Sequence, residues 1–246
     1  MPNVRLRVAY DGTNYGGFQM QKNAVTVQEK LEKALYRLYG TQVKVVSAGR
    51  TDSGVHARGQ AVSFHVSSLI PVDRIPWALN TCLPDDIVVW EATEVPAGFH
   101  AARDALSKLY IYTLDNATFR QVLRRRYTWH CPENLNLELM QEGGRAMEGS
   151  HDFCSFKGTG SEVKNTVRNI FRVEVTRDET EQLIFIKITG EGFMYKMVRF
   201  MAGALVELGR QSLELDALKK ALAGASSRVG PALPAKGLCL EEVHYE

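Results

Sequence analysis

The chain has 246 residues, enough for one or two domains with a full hydrophobic core. Hydrophobic residues make up 45% and charged residues 24%, which are ordinary values for a globular protein. The 30 Lys and Arg residues nearly balance the 28 Asp and Glu residues, leaving a net charge of +2. This balance excludes a polybasic tail-type binder, but an enzyme with a locally basic groove needs no large net charge.

The cysteines and the N-terminus indicate the compartment. The four cysteines, Cys82, Cys131, Cys154 and Cys239, form no CxxC pair and no paired metal-ligand spacing, so we expect reduced thiols. Residues 1–11 lack the apolar core of a signal peptide. No uncharged apolar stretch approaches the ~20 residues that span a bilayer. We therefore expect a soluble, cytoplasmic protein with no membrane partner.

The first half of the chain alternates strands and helices. Residues 4–10 alternate apolar and polar side chains, which predicts a strand that ends in the turn residues 11–14. Thr26 and Glu29 form a capping box that predicts a helix over 26–39. The other elements predicted here are strands over 43–46, 60–66 and 87–90 and a short helix over 73–82.

The second half repeats this order over a longer stretch. The predicted strands lie at 109–114, 167–175, 183–189 and 238–243, and the predicted helices at 139–147 (interrupted by Gly143 and Gly144), 193–208 and 215–222. Strand-helix-strand-strand-helix-strand is the ferredoxin-like order. We therefore predict an α+β fold of two ferredoxin-like (βαββαβ) halves, which share an extended antiparallel sheet with helices on one face and meet near residues 96–103.

The most unusual stretch is the polar loop over residues 48–57, with the sequence Ala-Gly-Arg-Thr-Asp-Ser-Gly-Val-His-Ala. Arg50 and Asp52 lie two residues apart, so an extended loop turns both to one side. An Asp beside an Arg keeps a low pKa and stays ionised at pH 7, so it suits a nucleophile or a charge stabiliser. An ordinary turn is the alternative. Asp52 and His56 lack a third metal ligand, so we expect His56 to be a hydrogen-bonding loop residue.

Three other segments bear on binding. The glycine-rich segment 11–21 lacks the GxGxxG and P-loop patterns, so we do not expect it to hold a nucleotide phosphate. Its aromatic and amide residues suit contact with bases or sugars, and the alternative is a long turn with Phe18 in the core. Arg120 and Arg124–Arg126 form a basic cluster that suits phosphates, or else a solvated face. Tyr110 and Tyr112 share one face of a strand, where one of them would normally be core.

Read together, these segments resemble the TruA family of tRNA pseudouridine synthases over essentially the whole chain. The Gly-Arg-Thr-Asp segment at 49–52 is the most specific part of the resemblance. The other landmarks follow in family order: Tyr10-Asp11-Gly12-Thr13, Gly17-Phe18-Gln19-Met20-Gln21, Leu79-Asn80, Leu83-Pro84, Lys108-Leu109-Tyr110-Ile111-Tyr112, Gly149-Ser150-His151-Asp152-Phe153, Met197-Val198-Arg199 and Gly237-Leu238-Cys239-Leu240.

The resemblance implies a homodimeric enzyme that isomerises uridine to pseudouridine in the anticodon stem-loop of tRNA, typically at nucleotides 38 to 40, without a metal or organic cofactor. By this resemblance Asp52 matches the catalytic aspartate and Arg50 the arginine linked to flipping the target base. Tyr110 matches the tyrosine that packs on the base, Arg199 the arginine that pairs with the aspartate, and Leu238 a pocket leucine.

The same resemblance divides the chain by role. Residues 1–98 would carry the aspartate loop, and residues 99–246 would complete the site and the RNA-binding groove, to which we assign Arg124, Arg125 and Arg126.

Two departures from the family pattern bear on the choice of RNA. Arg103 is displaced by one position, which on a strand would turn it to the other face, and Glu191 stands where the family often has Asn. A synthase for another RNA such as ribosomal RNA, and a non-catalytic ferredoxin-like RNA-binding protein, are the alternatives. A metal-dependent hydrolase that uses Asp52 and His56 is a third, which activity in a strong chelator would eliminate.

Overall fold

A computed structural model describes residues 1–67, 70–160, 163–225 and 228–245. The chain divides into two compact units. Unit 1 comprises Met1–Leu106 with Leu240–Glu246, and unit 2 comprises Ser107–Cys239. The division of roles at residue 98, which we expected from the sequence, concerns function and stays a prediction. No helix in the described part of the chain is both long and apolar enough to cross a membrane.

The described residues form strands and helices in both units. The strands are β1 (Asn3–Tyr10), β2 (Val46–Ser47), β3 (His56–His65), β4 (Ile87–Val95), β5 (Ser107–Asp115), β6 (Trp129–His130), β7 (Gly149–Asp152), β8 (Val167–Asp178), β9 (Leu183–Gly190) and β10 (Leu238–His244). The α-helices are α1 (Val27–Tyr39), α2 (Ile75–Asn80), α3 (Leu137–Met147), α4 (Met197–Gly209) and α5 (Leu215–Leu222).

Unit 1 has the ferredoxin-like strand arrangement. Strand β1 lies between β4 and β3 and is antiparallel to both, and β2 pairs with β3. The alternation in β1 buries Val4, Leu6, Val8 and Tyr10, as the sequence predicted. In the register, Tyr10 pairs with Ala57, so the end of β1 lies beside the start of β3 and the loop before it.

Unit 2 repeats this order with additions. Strand β5 pairs antiparallel with β9, β9 with β8 and β8 with β7, while the two-residue β6 runs parallel to β5. Helix α3 packs against β8 and against α4. The α+β fold with antiparallel strands is therefore confirmed. Strands β6 and β7 were not predicted, because two to four residues carry too little periodicity to be recognised.

Helix α1 begins as its capping box predicted. The Thr26 hydroxyl oxygen accepts a hydrogen bond from the backbone nitrogen of Glu29 at 3.3 Å. The Glu29 carboxylate accepts in return from the Thr26 backbone, and this bond, after the larger effect of Lys33, holds the pKa of Glu29 below its usual value. The helix ends at Gly40, whose φ of 68° lies in the left-handed region.

Several predicted boundaries were wrong: β3 begins at His56 instead of residue 60, and β4 ends at Val95 instead of residue 90. Two further differences have an identifiable cause. The strand expected over 43–46 starts only at Val46, because the Val45 backbone nitrogen donates to the Glu32 carboxylate at 3.2 Å instead of to a neighbouring strand. The helix expected over 193–208 starts at Met197, because Lys196 has a φ of 59° and cannot continue a right-handed helix. Phe193 therefore lies before the helix.

Gly143 and Gly144 do not interrupt α3, which runs unbroken from Leu137 to Met147. A Cβ on Gly143 would lie 2.2 Å from a methyl carbon of Leu208 on α4, and one on Gly144 would lie 3.0 Å from a methyl carbon of Val173 on β8. The two glycines therefore let α3 approach both neighbours, and this close packing outweighs their low helix propensity.

Replacing Gly143 with valine should destabilise unit 2. The added side chain overpacks the α3–α4 contact, so we expect the free energy of unfolding to fall by about 1–3 kcal/mol. Chemical denaturation followed by circular dichroism measures this change. Gly192→Ala is the control, because a Cβ at Gly192 meets nothing within 4 Å. Equal unfolding midpoints for Gly143→Val and the control would show that α3 and α4 are not tightly packed here.

Candidate active site

The loop that carries Asp52 lies in unit 1 and rests on the backbone of the glycine-rich segment. The Phe18 backbone nitrogen donates to the Thr51 carbonyl at 3.1 Å. Gly17 has a φ of 100°, and a Cβ there would lie 2.5 Å from the same carbonyl oxygen. The glycines of segment 11–21 thus allow its backbone to approach the backbone of the Asp52 loop closely, and this contact supports the loop.

Side chains from β1 and β3 hold the loop on both sides of Arg50. The Tyr10 hydroxyl and the Thr51 hydroxyl are hydrogen-bonded at 2.7 Å in a buried position. The Gln60 amide nitrogen donates to the Gly49 carbonyl at 2.8 Å. The first bond is buried and the second is partly buried, and together they fix the backbone that flanks Arg50.

A tight turn follows Asp52. The Val55 backbone nitrogen donates to the Asp52 carbonyl at 3.1 Å, and Gly54 has a φ of 77°. Arg50 is exposed and Asp52 is partly exposed, whereas Thr51 between them is buried. The loop therefore turns Arg50 and Asp52 away from the core that holds Thr51, as the two-residue spacing predicted.

His56 ties the start of β3 to the turn after β1. Its Nδ1 accepts a hydrogen bond from the Gly12 backbone nitrogen at 3.0 Å and lies 3.2 Å from the Asp11 carboxylate. The imidazole is buried, and a Cβ on Gly12 would lie 2.0 Å from the Val55 carbonyl oxygen. The expected hydrogen-bonding role is confirmed, although His56 is the first residue of β3 and not a loop residue. Among the described residues, no three His, Cys, Asp or Glu side chains form a group suited to a metal ion.

In unit 2, the two tyrosines of β5 have different surroundings. Tyr112 is fully buried, and its hydroxyl donates to the Pro234 carbonyl at 2.8 Å. Burial raises the pKa of Tyr112, and the positive charge of Arg199 only partly offsets this. Tyr110 packs its ring edge-to-face against Phe193 at a centroid distance of 5.2 Å. Both tyrosines are buried, with exposed fractions of 6% for Tyr110 and 0% for Tyr112, so burial does not decide between them, and the role of Tyr110 stays a prediction.

Arg199 is anchored on the first turns of α4. Its Nε donates to the Leu233 carbonyl at 2.6 Å, and the Leu233 backbone nitrogen donates to the Arg199 carbonyl at 3.2 Å. Segment 230–234 approaches α4 closely, since a Cβ on Gly203 would lie 2.0 Å from the Pro231 carbonyl oxygen. These contacts fix the direction of the half-buried guanidinium. Leu238, at the start of β10, is buried.

The arginines of the basic cluster do not share one environment. Arg124 forms an ion pair with Glu181, so part of its charge is neutralised within unit 2. Arg125 donates to the Val122 carbonyl at 3.0 Å and is exposed, as is Arg126. The sequence grouped the three arginines as phosphate ligands, and the structure shows that Arg124 is partly exposed whereas Arg125 and Arg126 are exposed.

The structure also places Arg103 and Glu191, the two departures from the family pattern. Residues 101–104 form a turn, so the displaced Arg103 is not turned to the other face of a strand. Its guanidinium donates hydrogen bonds to the Asp104 carboxylate at 2.8 Å and to the Gly98 carbonyl at 2.6 Å. Glu191 is exposed.

Sequence reasoning missed the residues that support the Asp52 loop, namely Tyr10, Thr51 and Gln60 as hydrogen-bonding groups. Their partners are distant in the chain, and no local pattern reveals them. Gln60 begins the predicted strand 60–66, in which Ser63 and His65 are also polar, and only the structure shows that Gln60 has no exposed surface. A buried amide in such a position usually has hydrogen-bond partners.

The chain matches known proteins along its whole length. The sequence profile of a family described as tRNA pseudouridine synthase matches residues 7–103 and 145–246. The tRNA pseudouridine synthase A of Clostridium acetobutylicum is 42% identical over 246 residues and that of Moorella thermoacetica is 44% identical over 248 residues. The same protein of Acetivibrio thermocellus is 43% identical over 246 residues. Each match covers 100% of both chains.

Replacing Thr51 with valine tests the buried support of the loop. Valine keeps the shape but leaves the Tyr10 hydroxyl without this bond, which costs about 1–3 kcal/mol for a buried group. We expect a lower free energy of unfolding and faster hydrogen exchange of the Phe18 amide, which donates to Thr51. Thr51→Ser, which keeps the hydroxyl, is the control. The support would be unimportant if Thr51→Val and Thr51→Ser had equal stability and equal exchange rates.

Proposed function

The chain belongs to the tRNA pseudouridine synthase family, and we propose that it isomerises uridine to pseudouridine in the anticodon stem-loop of tRNA, typically at nucleotides 38 to 40. The reaction follows from the match of the full chain to tRNA pseudouridine synthases. The Gly-Arg-Thr-Asp loop is the single feature that carries the assignment of the site. The position in the tRNA rests on the resemblance of its motifs to the TruA family.

The chemistry must move one bond of the base. The bond between C1′ and N1 breaks, the uracil rotates, and C5 joins C1′; N1 gains a proton and C5 loses one. An ionised Asp52 can attack C6 or C1′, or remove a sugar proton and then stabilise the detached state. All three routes need a carboxylate in a fixed position, and the bonds around Thr51 and Gly49 supply that pre-organisation.

Arg50 has the proposed role of taking the base out of its stack. Unstacking costs a few kcal/mol and is cheaper in a loop than in a stem. Because Arg50 is exposed beside Asp52, its guanidinium is available to occupy the place that the base leaves. Its backbone is held on both sides, so the side chain moves while its attachment point stays fixed.

Unit 2 supplies the other proposed groups. We assign to Arg199 the cation that pairs with the catalytic carboxylate and keeps it ionised. Its bond to the Leu233 carbonyl supports this role, since a guanidinium with one fixed edge presents its other nitrogens in a defined direction. Tyr110 and Leu238 are the proposed walls of the pocket, which exclude water and prevent a detached uracil from escaping.

The proposed substrate contact outside the pocket is electrostatic. Arg125 and Arg126 are exposed and suit phosphates, and Arg124 contributes less because Glu181 neutralises it. We also propose that the enzyme is a homodimer, acts in the cytoplasm where tRNA is processed, and needs no metal or organic cofactor for a reaction that consumes no other reactant.

Asp52→Asn should abolish the reaction while sparing the fold and tRNA binding. The amide keeps the shape of the carboxylate but cannot act as a nucleophile or base, so we expect kcat to fall by several orders of magnitude. Incubation with unmodified tRNA transcript, followed by mapping of pseudouridine, measures both the product and its position. Asp73→Asn, at an exposed aspartate of the same unit, is the control. Retention of more than about a tenth of the wild-type kcat would refute the assignment of Asp52.

Tyr110→Phe should separate stacking from proton transfer. A tyrosine hydroxyl is a poor base at pH 7, but losing the C5 proton restores the conjugated ring, so a modest base suffices. We expect near-normal tRNA binding with strongly reduced release of tritium from C5-labelled uridine. Tyr110→Ala should impair both.

Tyr112→Phe is the matched control for Tyr110→Phe. It removes the bond to Pro234, so we expect lower stability with product formation retained. A Tyr110→Phe enzyme that turns over at the wild-type rate would limit Tyr110 to stacking, and the proton would then leave by another route.

A further inference from the structure

Three buried alanines of unit 1 pack together where the Asp52 loop begins. We define the alanine cluster by Ala48, Ala61 and Ala101. Ala48 follows β2 and directly precedes Gly49 of the loop, and its backbone nitrogen donates to the Ala61 carbonyl on β3 at 2.8 Å. Ala101 opens the turn over residues 101–104 and has no exposed surface. Because alanine side chains are small, the cluster brings this turn close to the backbone from which the loop starts.

Both polar backbone groups of Ala101 are hydrogen-bonded to side chains of unit 1. The Ala101 backbone nitrogen donates to the Ser63 hydroxyl oxygen on β3 at 3.2 Å in a buried position. The Tyr245 hydroxyl donates to the Ala101 carbonyl at 2.8 Å. Ala101 is therefore held from two sides, and loss of either bond leaves a backbone group with one partner fewer.

Tyr245 is itself fixed by its neighbours. Its ring packs against Phe99 at a centroid distance of 5.0 Å, and the Arg5 guanidinium lies over the ring at 5.3 Å from its centroid. Val243 and Tyr245 both pack against the alanine cluster. Burial raises the pKa of Tyr245, and the charge of Arg5 only partly offsets this. The hydroxyl thus keeps its proton at pH 7 and remains a donor to Ala101.

The segment before the turn is anchored independently to β1. The buried Asn3 amide nitrogen donates to the Phe99 carbonyl at 2.8 Å and to the Pro96 carbonyl at 3.2 Å. The Asp104 carboxylate accepts from the His100 backbone nitrogen at 2.8 Å and closes the turn. Since the turn is attached to the sheet at both ends, it presents Ala101 to Ala48 in a defined place.

The alanine cluster acts on a part of the loop that the other supports do not reach. The bonds of Tyr10 and Gln60 hold Thr51 and the Gly49 carbonyl, whereas the cluster holds Ala48, two residues before Arg50. A shift of Ala48 would therefore move the backbone that carries the exposed Arg50 side chain. Misplacement of a working group by about 1 Å can cost about a hundredfold in rate.

We propose that Tyr245 is a positioning residue for the isomerisation: it holds Ala101 against Ala48 and thereby sets the place from which Arg50 extracts the target base. The inference rests on the role proposed above for Arg50. Tyr245 acts through the alanine cluster and makes no contact with RNA in this proposal.

Tyr245→Phe tests the proposal because it removes only the bond to Ala101 and keeps the ring against Phe99. We expect the single-turnover rate of pseudouridine formation, at saturating unmodified tRNA, to fall about tenfold, with an unchanged tRNA dissociation constant in a filter assay. Ser63→Ala, which removes the other side-chain bond to Ala101, should act in the same direction. Tyr36→Phe, at a tyrosine of α1 that is 54% exposed, is the control and should change neither quantity.

Two further measurements separate positioning from a loss of stability. A fluorescent base analogue beside the target uridine should report slower base extraction by Tyr245→Phe. Hydrogen exchange of the Ala48 amide, which bonds Ala61, should become faster, while the Phe18 amide, which bonds Thr51 on the other side of the loop, keeps its protection. A merely structural role would lower the denaturation midpoint and speed exchange of both amides, with the rate of the folded enzyme unchanged.

Each result identifies which proposal fails. Folded Tyr245→Phe and Ser63→Ala enzymes that react at the wild-type rate would overturn the positioning role. Weaker tRNA binding with an unchanged single-turnover rate would overturn it in favour of an RNA contact by Tyr245. A wild-type protein that forms no pseudouridine would refute the proposed function. In that case the Ala48 amide still tests the cluster, and equal exchange in the wild type and Tyr245→Phe would overturn this inference as well.

Discussion

The carbonyl oxygens of Thr51 and Val55 lie where side chains on Gly17 and Gly12 would have to be, and the position of Asp52 depends on this close approach of two backbones. A larger residue at either glycine would push the Asp52 loop away from β1. The bonds made by Tyr10, Gln60 and His56 act on a loop that this contact has already placed. In unit 1 the end of β1, the first residues of β3 and the glycine-rich segment together fix the position of the Asp52 loop.

The fold could be predicted from the sequence wherever periodicity or a cap was strong. Helix α1 was predicted from its capping box and apolar face, and β1 from its alternation, because local chemistry determines both. The predictions failed where a contact or a backbone conformation left no pattern in the sequence. The Val45 backbone nitrogen donates its hydrogen bond to the Glu32 side chain on α1 instead of to a strand. Lys196 has a left-handed backbone conformation immediately before α4. Gly143 looked like a break in α3 only because a sequence does not show that α4 lies against it.

The site divides in the same way. The loop with Arg50 and Asp52 was proposed as the site from its residue types, its spacing and the family resemblance, and its catalytic role stays a prediction. What holds the loop was not identifiable, because Tyr10, Thr51 and Gln60 meet only when β1, β3 and the loop come together. Likewise the sequence grouped Arg124 with the neighbouring arginines. The structure shows that Arg124 forms an ion pair with Glu181, which lies in the turn between β8 and β9.

Fixed supports and mobile side chains are combined here in a way that suits the proposed isomerisation. The uracil must detach, rotate and rejoin the sugar, so the groups around it have to stay in place while the base moves. Hydrogen bonds on both sides of Arg50, one buried and one partly buried, hold its backbone and leave its exposed side chain able to follow the nucleotide. In unit 2 the hydrogen bond from Arg199 Nε to the Leu233 carbonyl holds the guanidinium side chain itself in place. Because these restraints exist before any RNA binds, binding energy can be used to extract the base from its stack and need not be spent on ordering the protein.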